Sequence, residues 1–404
     1  MTVAQSPHPP LRHSGRGHLK ALDGIRGLAI LMVASSHAFL SNVLSGNLVQ
    51  RLAGEALLHG NVGVDLFFVL SGFLITGILV DTINDSGYFR KFYARRILRI
   101  FPIYYAVLFT FLLLTPVLHL NWGGMAIPLL LFAQNLRPDS IHNFHLGPVE
   151  LAHFWSLAVE EQFYLVWPAA ILFLRTPSRI LRAAAIVSAL ALISRVTILL
   201  LKNPADSFYF IHVGTFFRAD SLLCGAALAV LYRSRHWLAT VRWAPPVFLV
   251  TIVIIHIGFW LEPRTHNHLL INLWDFGFRY TFLILNFGAL IVWALKEGSL
   301  VHWIFQMRWL RFFGKYSYGL YVYHLLILPA VISRLRPWFA AEFHSKFLGV
   351  LLSALVGLAA CTLAAFLSYQ LFEKHFLRLK KYFDYDRPTE PTIAPPLVQS
   401  PDLR

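Results

Sequence analysis

Ten stretches of the chain are apolar for about twenty residues each, and they limit its fold more than any single motif does. A helix needs about 20 apolar residues to cross a bilayer. The stretches are Leu22–Asn42, Asn61–Asp81, Leu98–His119, His153–Leu174, Ile180–Leu201, His212–Tyr232, Ala244–Leu261, Leu273–Leu295, Tyr316–Ser333 and Phe347–Phe372. An eleventh run, Met125–Ala133, is too short to cross unaided and reads as re-entrant or interfacial. The expected fold is an all-α polytopic membrane protein of about ten transmembrane helices. Composition agrees: 57% of the residues are hydrophobic and 14% charged, against about 25% charged in a soluble domain. A typical soluble enzyme and a disordered chain are both excluded.

The charges that remain are placed, not scattered. The 404 residues hold 35 Lys and Arg against 20 Asp and Glu, a net +15. On a soluble chain that excess would suggest nucleic acid; here it falls on alternate loops. Basic clusters precede span one (Arg12, Arg16, Lys20) and follow span two (Arg90 to Arg99), span four (Arg175, Arg179, Arg182), span six (Arg233, Arg235, Arg242), span eight (Lys296, Arg308, Arg311, Lys315) and span ten (Lys374, Arg378, Lys380, Lys381). The positive-inside bias then puts both tails in the cytoplasm and Asn135–Glu150 outside. Were Met125–Ala133 to cross, every later cluster would land outside. Residues 1–20 lack the apolar core of a cleaved signal, so they are expected to be a basic tail before a membrane domain at 21–381, with a polar tail at 382–404. Cys224 and Cys361 lie in apolar stretches and imply no disulfide framework. No metal-ligand spacing, phosphate-cradling glycine loop or G-x-S-x-G elbow occurs. No internal repeat is evident, which counts against a secondary transporter.

Charge inside the spans is the informative residue-level feature, because it is costly and usually faces a cavity or a partner. At 1.5 Å per helical residue, His37 lies roughly 16 Å deeper in span one than Arg26. Counted from the outer ends of their spans, Asp65 is about 6 Å deep, Glu160 and Glu161 about 10–12 Å, and Arg218 and Asp220 about 9–12 Å. Four helices thus bring ionisable groups to one layer. The layer can be a set of ion pairs that fix helix register. It can also be catalytic, with a neutral histidine taking a proton from an attacking hydroxyl and a carboxylate orienting the ring. Glu160 shares a helix face with Ser156, whereas Glu161 points about 100° away. Tyr88–Arg99 alternates Arg with aromatic and aliphatic residues and reads as a cytoplasmic interfacial amphipathic helix. Its Arg96 and Arg99, three apart, suit a phosphate clamp, or headgroup binding and topology.

Six segments carry a resemblance: "LDGIRGLAILMVASSHAF" from Leu22, "VGVDLFFVLSGFLIT" from Val62, "FYARRILRIFPIYY" from Phe92, "FWSLAVEEQFYLVWP" from Phe154, "FRADSLLCGAALA" from Phe217 and "FGKYSYGLYVYH" from Phe313. In this order they resemble the membrane acyltransferase-3 family, over about Lys20 to Lys381. The family's basic residue followed eleven positions later by His is met by Arg26 and His37. Its Arg-x-x-Arg is met by Arg96 and Arg99, and its Trp-Ser-x-x-x-Glu-Glu by Trp155, Ser156, Glu160 and Glu161. The resemblance implies O-acylation of an envelope saccharide or similar hydroxyl acceptor in a bacterial inner membrane. The donor would be acyl-CoA, as a substrate and not a resident cofactor, bound through Arg26, Arg96 and Arg99. His37 would act as base with Glu160 or Glu161. Asp65, Trp155, Ser156, Arg218, Asp220, Tyr318 and His324 carry over as pocket residues, with His324 expected nearer the cytoplasmic side, on the donor path. No metal or nucleic acid is implied, and membrane lipids are the other partner. Many relatives carry a hydrolase-like domain after the last span, which this chain is expected to lack. A transporter or flippase of a glycolipid or acylated molecule is the alternative; a scaffold would leave the buried acids without a use.

Overall fold

A computed structural model describes residues 19–39, 59–137, 146–147, 149–201 and 204–385. Residues 1–18 of the expected tail at 1–20, residues 40–58, which include the end of the first expected span, loop residues 138–145 and residues 386–404 lie outside the described residues. Ten long helices carry the fold: α1 (Lys20–Ala38), α2 (Gly63–Asp81), α3 (Tyr88–Leu118), α4 (Trp155–Leu174), α5 (Pro177–Leu201), α6 (Thr215–Tyr232), α7 (Trp237–Leu261), α8 (Arg279–Leu295), α9 (Arg308–Glu342) and α10 (Lys346–Ser368). No strand occurs among the described residues. Nine segments of the described chain, those built on α2 to α10, are long and apolar enough to cross a membrane. The tenth, α1, has 19 described residues, about 28 Å of helix, and is less apolar because Asp23 and Arg26 lie in it. The amphipathic segment from Tyr88 is not a separate helix: it forms the first turns of the 31-residue α3. Backbone hydrogen bonding continues through it, because nothing between Gly87 and Leu118 breaks a helix except Pro102 and Pro116.

Two close helix pairs organise the core. A Cβ on Gly27 would overlap the carbonyl oxygen of Leu310, and one on Gly314 would overlap that of Asp23. Likewise a Cβ on Gly72 would overlap the Leu222 carbonyl, and one on Gly225 that of Val69. Small residues at such crossings let helix backbones touch, which is how helices associate where lipid is as apolar as leucine. Each pattern is reciprocal and parallel: α1 runs alongside α9, and α2 alongside α6. Spans one and nine, and spans two and six, therefore point the same way. That parity holds only if Met125–Ala133 does not cross. It forms a five-residue helix, Ala126–Leu130. The Tyr104 and Tyr105 hydroxyls of α3 donate to the carbonyls of Leu129 and Leu130 at 2.7 and 2.8 Å, and Gln162 of α4 donates to the Phe132 carbonyl at 2.7 Å. These bonds satisfy the short helix's free carbonyls without carrying it through the bilayer.

Residues 380–385, across the expected tail boundary at 382, contact α3. Arg95 on α3 donates to the carbonyls of Lys380 and Phe383, both at 3.2 Å, and to Asp384 at 2.7 Å, and its guanidinium lies 5.1 Å from the Tyr385 ring. The chain stays docked on α3 as far as Tyr385 because one guanidinium fork holds two carbonyls and a carboxylate.

Candidate active site

Three of the four helices that meet at the α1–α9 and α2–α6 crossings, together with α3 and α4, line a narrow cavity of about 100 Å³. α1 supplies Arg26, α3 supplies Arg96 and Arg99, and α4 supplies Ser156, Glu160 and Tyr164. Tyr318 of α9 also lines it and donates its hydroxyl proton to the Ile100 carbonyl at 2.6 Å. Arg26 lies 3.5 Å from Asp23. Among the described residues neither Arg96 nor Arg99 forms an ion pair, and Nε of Arg96 is buried without a hydrogen-bond partner. Glu160 is held by the hydroxyls of Ser71 and Tyr164, which also hydrogen-bond each other. Three guanidiniums around one carboxylate leave a surplus of positive charge, and an anion is the ligand that would balance it.

A second cavity of about 260 Å³ adjoins the first. The two share Val64, Ser156 and Tyr321 as a common wall. Oγ of Ser156 lies 2.9 Å from the Tyr321 hydroxyl, which donates to the His153 carbonyl. His37 opens into this second cavity, together with Glu150, His153, Trp155 and His212. Nδ1 of His37 lies 2.9 Å from the Val33 carbonyl. A carbonyl only accepts, so Nδ1 carries a proton, and in the neutral ring Nε2 then holds the lone pair. The His324 ring lies 5.1 Å from that of His37, and the His153 ring 4.9 Å beyond. His324 likewise donates from Nδ1, to the Tyr321 carbonyl at 2.7 Å, which leaves its buried Nε2 without a partner.

The single layer read from the sequence resolves into three environments. Asp65 accepts from Arg218, whose guanidinium lies 4.0 Å from the Tyr280 ring centroid; both line the His37 cavity. Asp220 lines neither cavity. It accepts from the fully buried Arg195 of α5 at 2.7 Å and from its own neighbour's backbone, Ser221 N–H, at 2.9 Å. Glu160 faces the arginines and not His37, and Glu161, with Oε1 buried and unpartnered, turns away beside Arg96 and lines neither cavity. Two carboxylates share the cavity of His37: Asp65, already engaged by Arg218, and Glu150, which precedes α4. His324 is not on the basic side. α9 begins at Arg308, eight residues before the expected span, so His324 is sixteen residues along it and reaches His37. Trp155 lines the His37 cavity and Ser156 the wall between the two cavities, and Trp155 packs on the His212 ring at 4.9 Å. Glu150, His153, His212, Arg195 and Tyr321 were not singled out. His153 and Tyr321 stand inside matched or adjacent segments, and Arg195 was legible as a charge within span five.

An all-helical chain with nine described segments able to cross a membrane and adjoining basic and histidine-lined cavities in its interior is a polytopic membrane protein with a polar core. The family model described as an acyltransferase domain matches residues 19–370, and the chain belongs to that family. It is 29% identical over 330 residues to the peptidoglycan O-acetyltransferase OatA of Listeria monocytogenes, covering 78% of this chain and 50% of that protein. To the O-acetyltransferase OatA of Staphylococcus aureus strain NCTC 8325 it is 30% identical over 340 residues, covering 78% and 51%. The chain thus spans about half the length of these relatives. No solved structure matches it.

Proposed function

We propose that the protein is a bacterial cell-membrane O-acyltransferase that moves an acetyl group from acetyl-CoA to a hydroxyl of peptidoglycan or a related envelope saccharide. The observation that carries this reading is the pair of adjoining cavities, guanidiniums in one and His37 with a free Nε2 in the other. Arg26 and His37 are eleven residues apart on α1, roughly 16 Å. A pantetheine arm has about the length of four to five extended residues, roughly 15 Å. Phosphates on Arg26, Arg96 and Arg99 would therefore set the thioester beside His37. The acceptor class follows the printed names of the relatives, peptidoglycan and O-acetyl transfer, and Trp155 on the second cavity offers the flat apolar face that sugar rings favour.

In the reaction, Nε2 of His37 takes the proton of the acceptor hydroxyl as its oxygen attacks the thioester carbonyl. The C–O bond forms, the C–S bond breaks, and the imidazolium returns the proton to the leaving thiolate. Glu150 in the same cavity is the carboxylate available to balance the imidazolium, and Glu160 helps to order the arginines. The alternating basic loops support cytoplasmic tails, with the arginine cavity toward the cytoplasm and the His37 cavity toward the outside. A flippase would use the same passage, but it gives the free nitrogen of His37 nothing to do.

The deciding experiment supplies purified protein in nanodiscs with radiolabelled acetyl-CoA and a panel of muropeptides and polysaccharides. Acceptor-dependent CoA release with label on the saccharide is expected. Movement of a glycolipid between leaflets with no CoA release would replace this reading with the flippase.

A further inference from the structure

The basic cavity is continued by a third, of about 370 Å³, that shares Arg26, Arg99 and Tyr318 with it. Its own cations are Arg311 and Lys315, four residues apart on one face of α9. Nε of Arg311 is buried without a hydrogen-bond partner, and the Lys315 ammonium stands 4.9 Å from the Tyr369 ring centroid. Two carboxylates also line the space. Asp23 is taken up by Arg26 at 3.5 Å, and Glu373 accepts from the Ser368 hydroxyl at 3.3 Å. Glu373 ends a π-helical turn, Tyr369–Glu373, and such turns frequently mark functional positions. Because Arg26 and Arg99 are shared, the two cavities together hold five cations against the carboxylates of Asp23, Glu160 and Glu373, a joint positive surplus of two. Arg26 and Arg99 stand between the two cavities, so a ligand with two separate anionic groups could place one on each side of them.

We propose that the third cavity binds a phosphomonoester, the 3′-phosphate on the ribose of coenzyme A, and that Arg311 and Lys315 make the protein select CoA over thioesters that lack this group. The proposal rests on the acyl-CoA reading above. It adds a specificity that reading does not contain: an acyl-pantetheine, or an acyl group on the phosphopantetheine of a carrier protein, offers the same thioester but nothing for this cavity. A phosphate on an anionic lipid headgroup presents the same chemistry.

The test compares binding of CoA and 3′-dephospho-CoA to the full-length protein in nanodiscs, once in phosphatidylcholine alone and once with anionic lipid. Wild-type protein is expected to bind CoA about tenfold or more tightly than the dephospho form in both, the scale of one charge-assisted hydrogen bond. Arg311→Gln and Lys315→Gln should each bring the ratio of the two affinities toward one. The exposed Lys315 keeps the test available if the Arg311 variant does not fold. Equal affinity for the two ligands in the wild type, or an unchanged ratio in the folded Lys315→Gln variant, overturns the subsite and leaves the donor reading in place. A preference that disappears only when anionic lipid is present assigns the cavity to a headgroup and also overturns it. Binding of neither ligand removes the acyl-CoA reading itself, and the subsite with it.

Discussion

At the scale of single residues, His37 is distinguished from the other histidines by what its two nitrogens meet. One is fixed by a carbonyl four residues earlier in its own helix, at 2.9 Å, and the other opens on a cavity. His37→Ala is expected to leave a folded protein that binds CoA normally and transfers at least about a hundredfold more slowly, the contribution of a positioned general base. Turnover beside CoA affinity checks this; near-normal turnover in the variant removes His37 from the chemistry. Arg96→Ala and Arg99→Ala should do the reverse and weaken CoA binding more than thermal stability. Lysine at either position should restore only part of the affinity, because an ammonium lacks the planar fork. Unchanged CoA affinity in both alanine variants would return the pair to a role in topology.

At the scale of helices, residue positions on paired helices are linked by a constant step. Gly27 and Gly314 mark the α1–α9 crossing, and 314 − 27 is 287; His37 and His324 are also 287 apart, and their rings meet. Gly72 and Gly225 mark the α2–α6 crossing, 153 apart, and the ion-paired Asp65 and Arg218 are 153 apart as well. Two parallel helices joined at one crossing carry equal steps to equal heights, so the glycines set which polar groups become neighbours. Gly27→Val is therefore expected to cost about 1–3 kcal/mol or more by overpacking against a backbone carbonyl and to lower activity through the His37–His324 register. Thermal unfolding in detergent alongside transferase rate measures both, and wild-type stability would show that the crossing yields easily. This is also where sequence reading reached its limit. Apolar length and loop charge made the spans legible, and charge within spans exposed Arg26, His37, Glu160 and Arg218. Which helix stands against which was not legible, since a small residue on one helix does not name its partner. Glu150 escapes because a carboxylate outside a span carries neither periodicity nor burial cost, and the expectation of Glu160 or Glu161 beside His37 misleads because equal depth is not adjacency around the bundle.

At the scale of the whole molecule, the alternation of basic loops and the parallel helix pairs give one topology to test. A cysteine at Ser140 in intact cells should react with an impermeant reagent and one at Ser178 should not; the opposite pattern inverts the scheme. The interior of that topology is polar from both ends, and the two cavities meet at a shared wall. Between the arginines and the histidines stand one valine side chain and a serine–tyrosine hydroxyl pair closed on each other at 2.9 Å. Water and ions passing from one cavity to the other would have to pass this pair of hydroxyls. A chain that buries charged side chains on four of its long helices, α2, α3, α5 and α6, needs such a narrow point if it is to sit in an energised membrane without leaking ions. Any group exchanged between the two sides has to be slender enough to part that pair of hydroxyls.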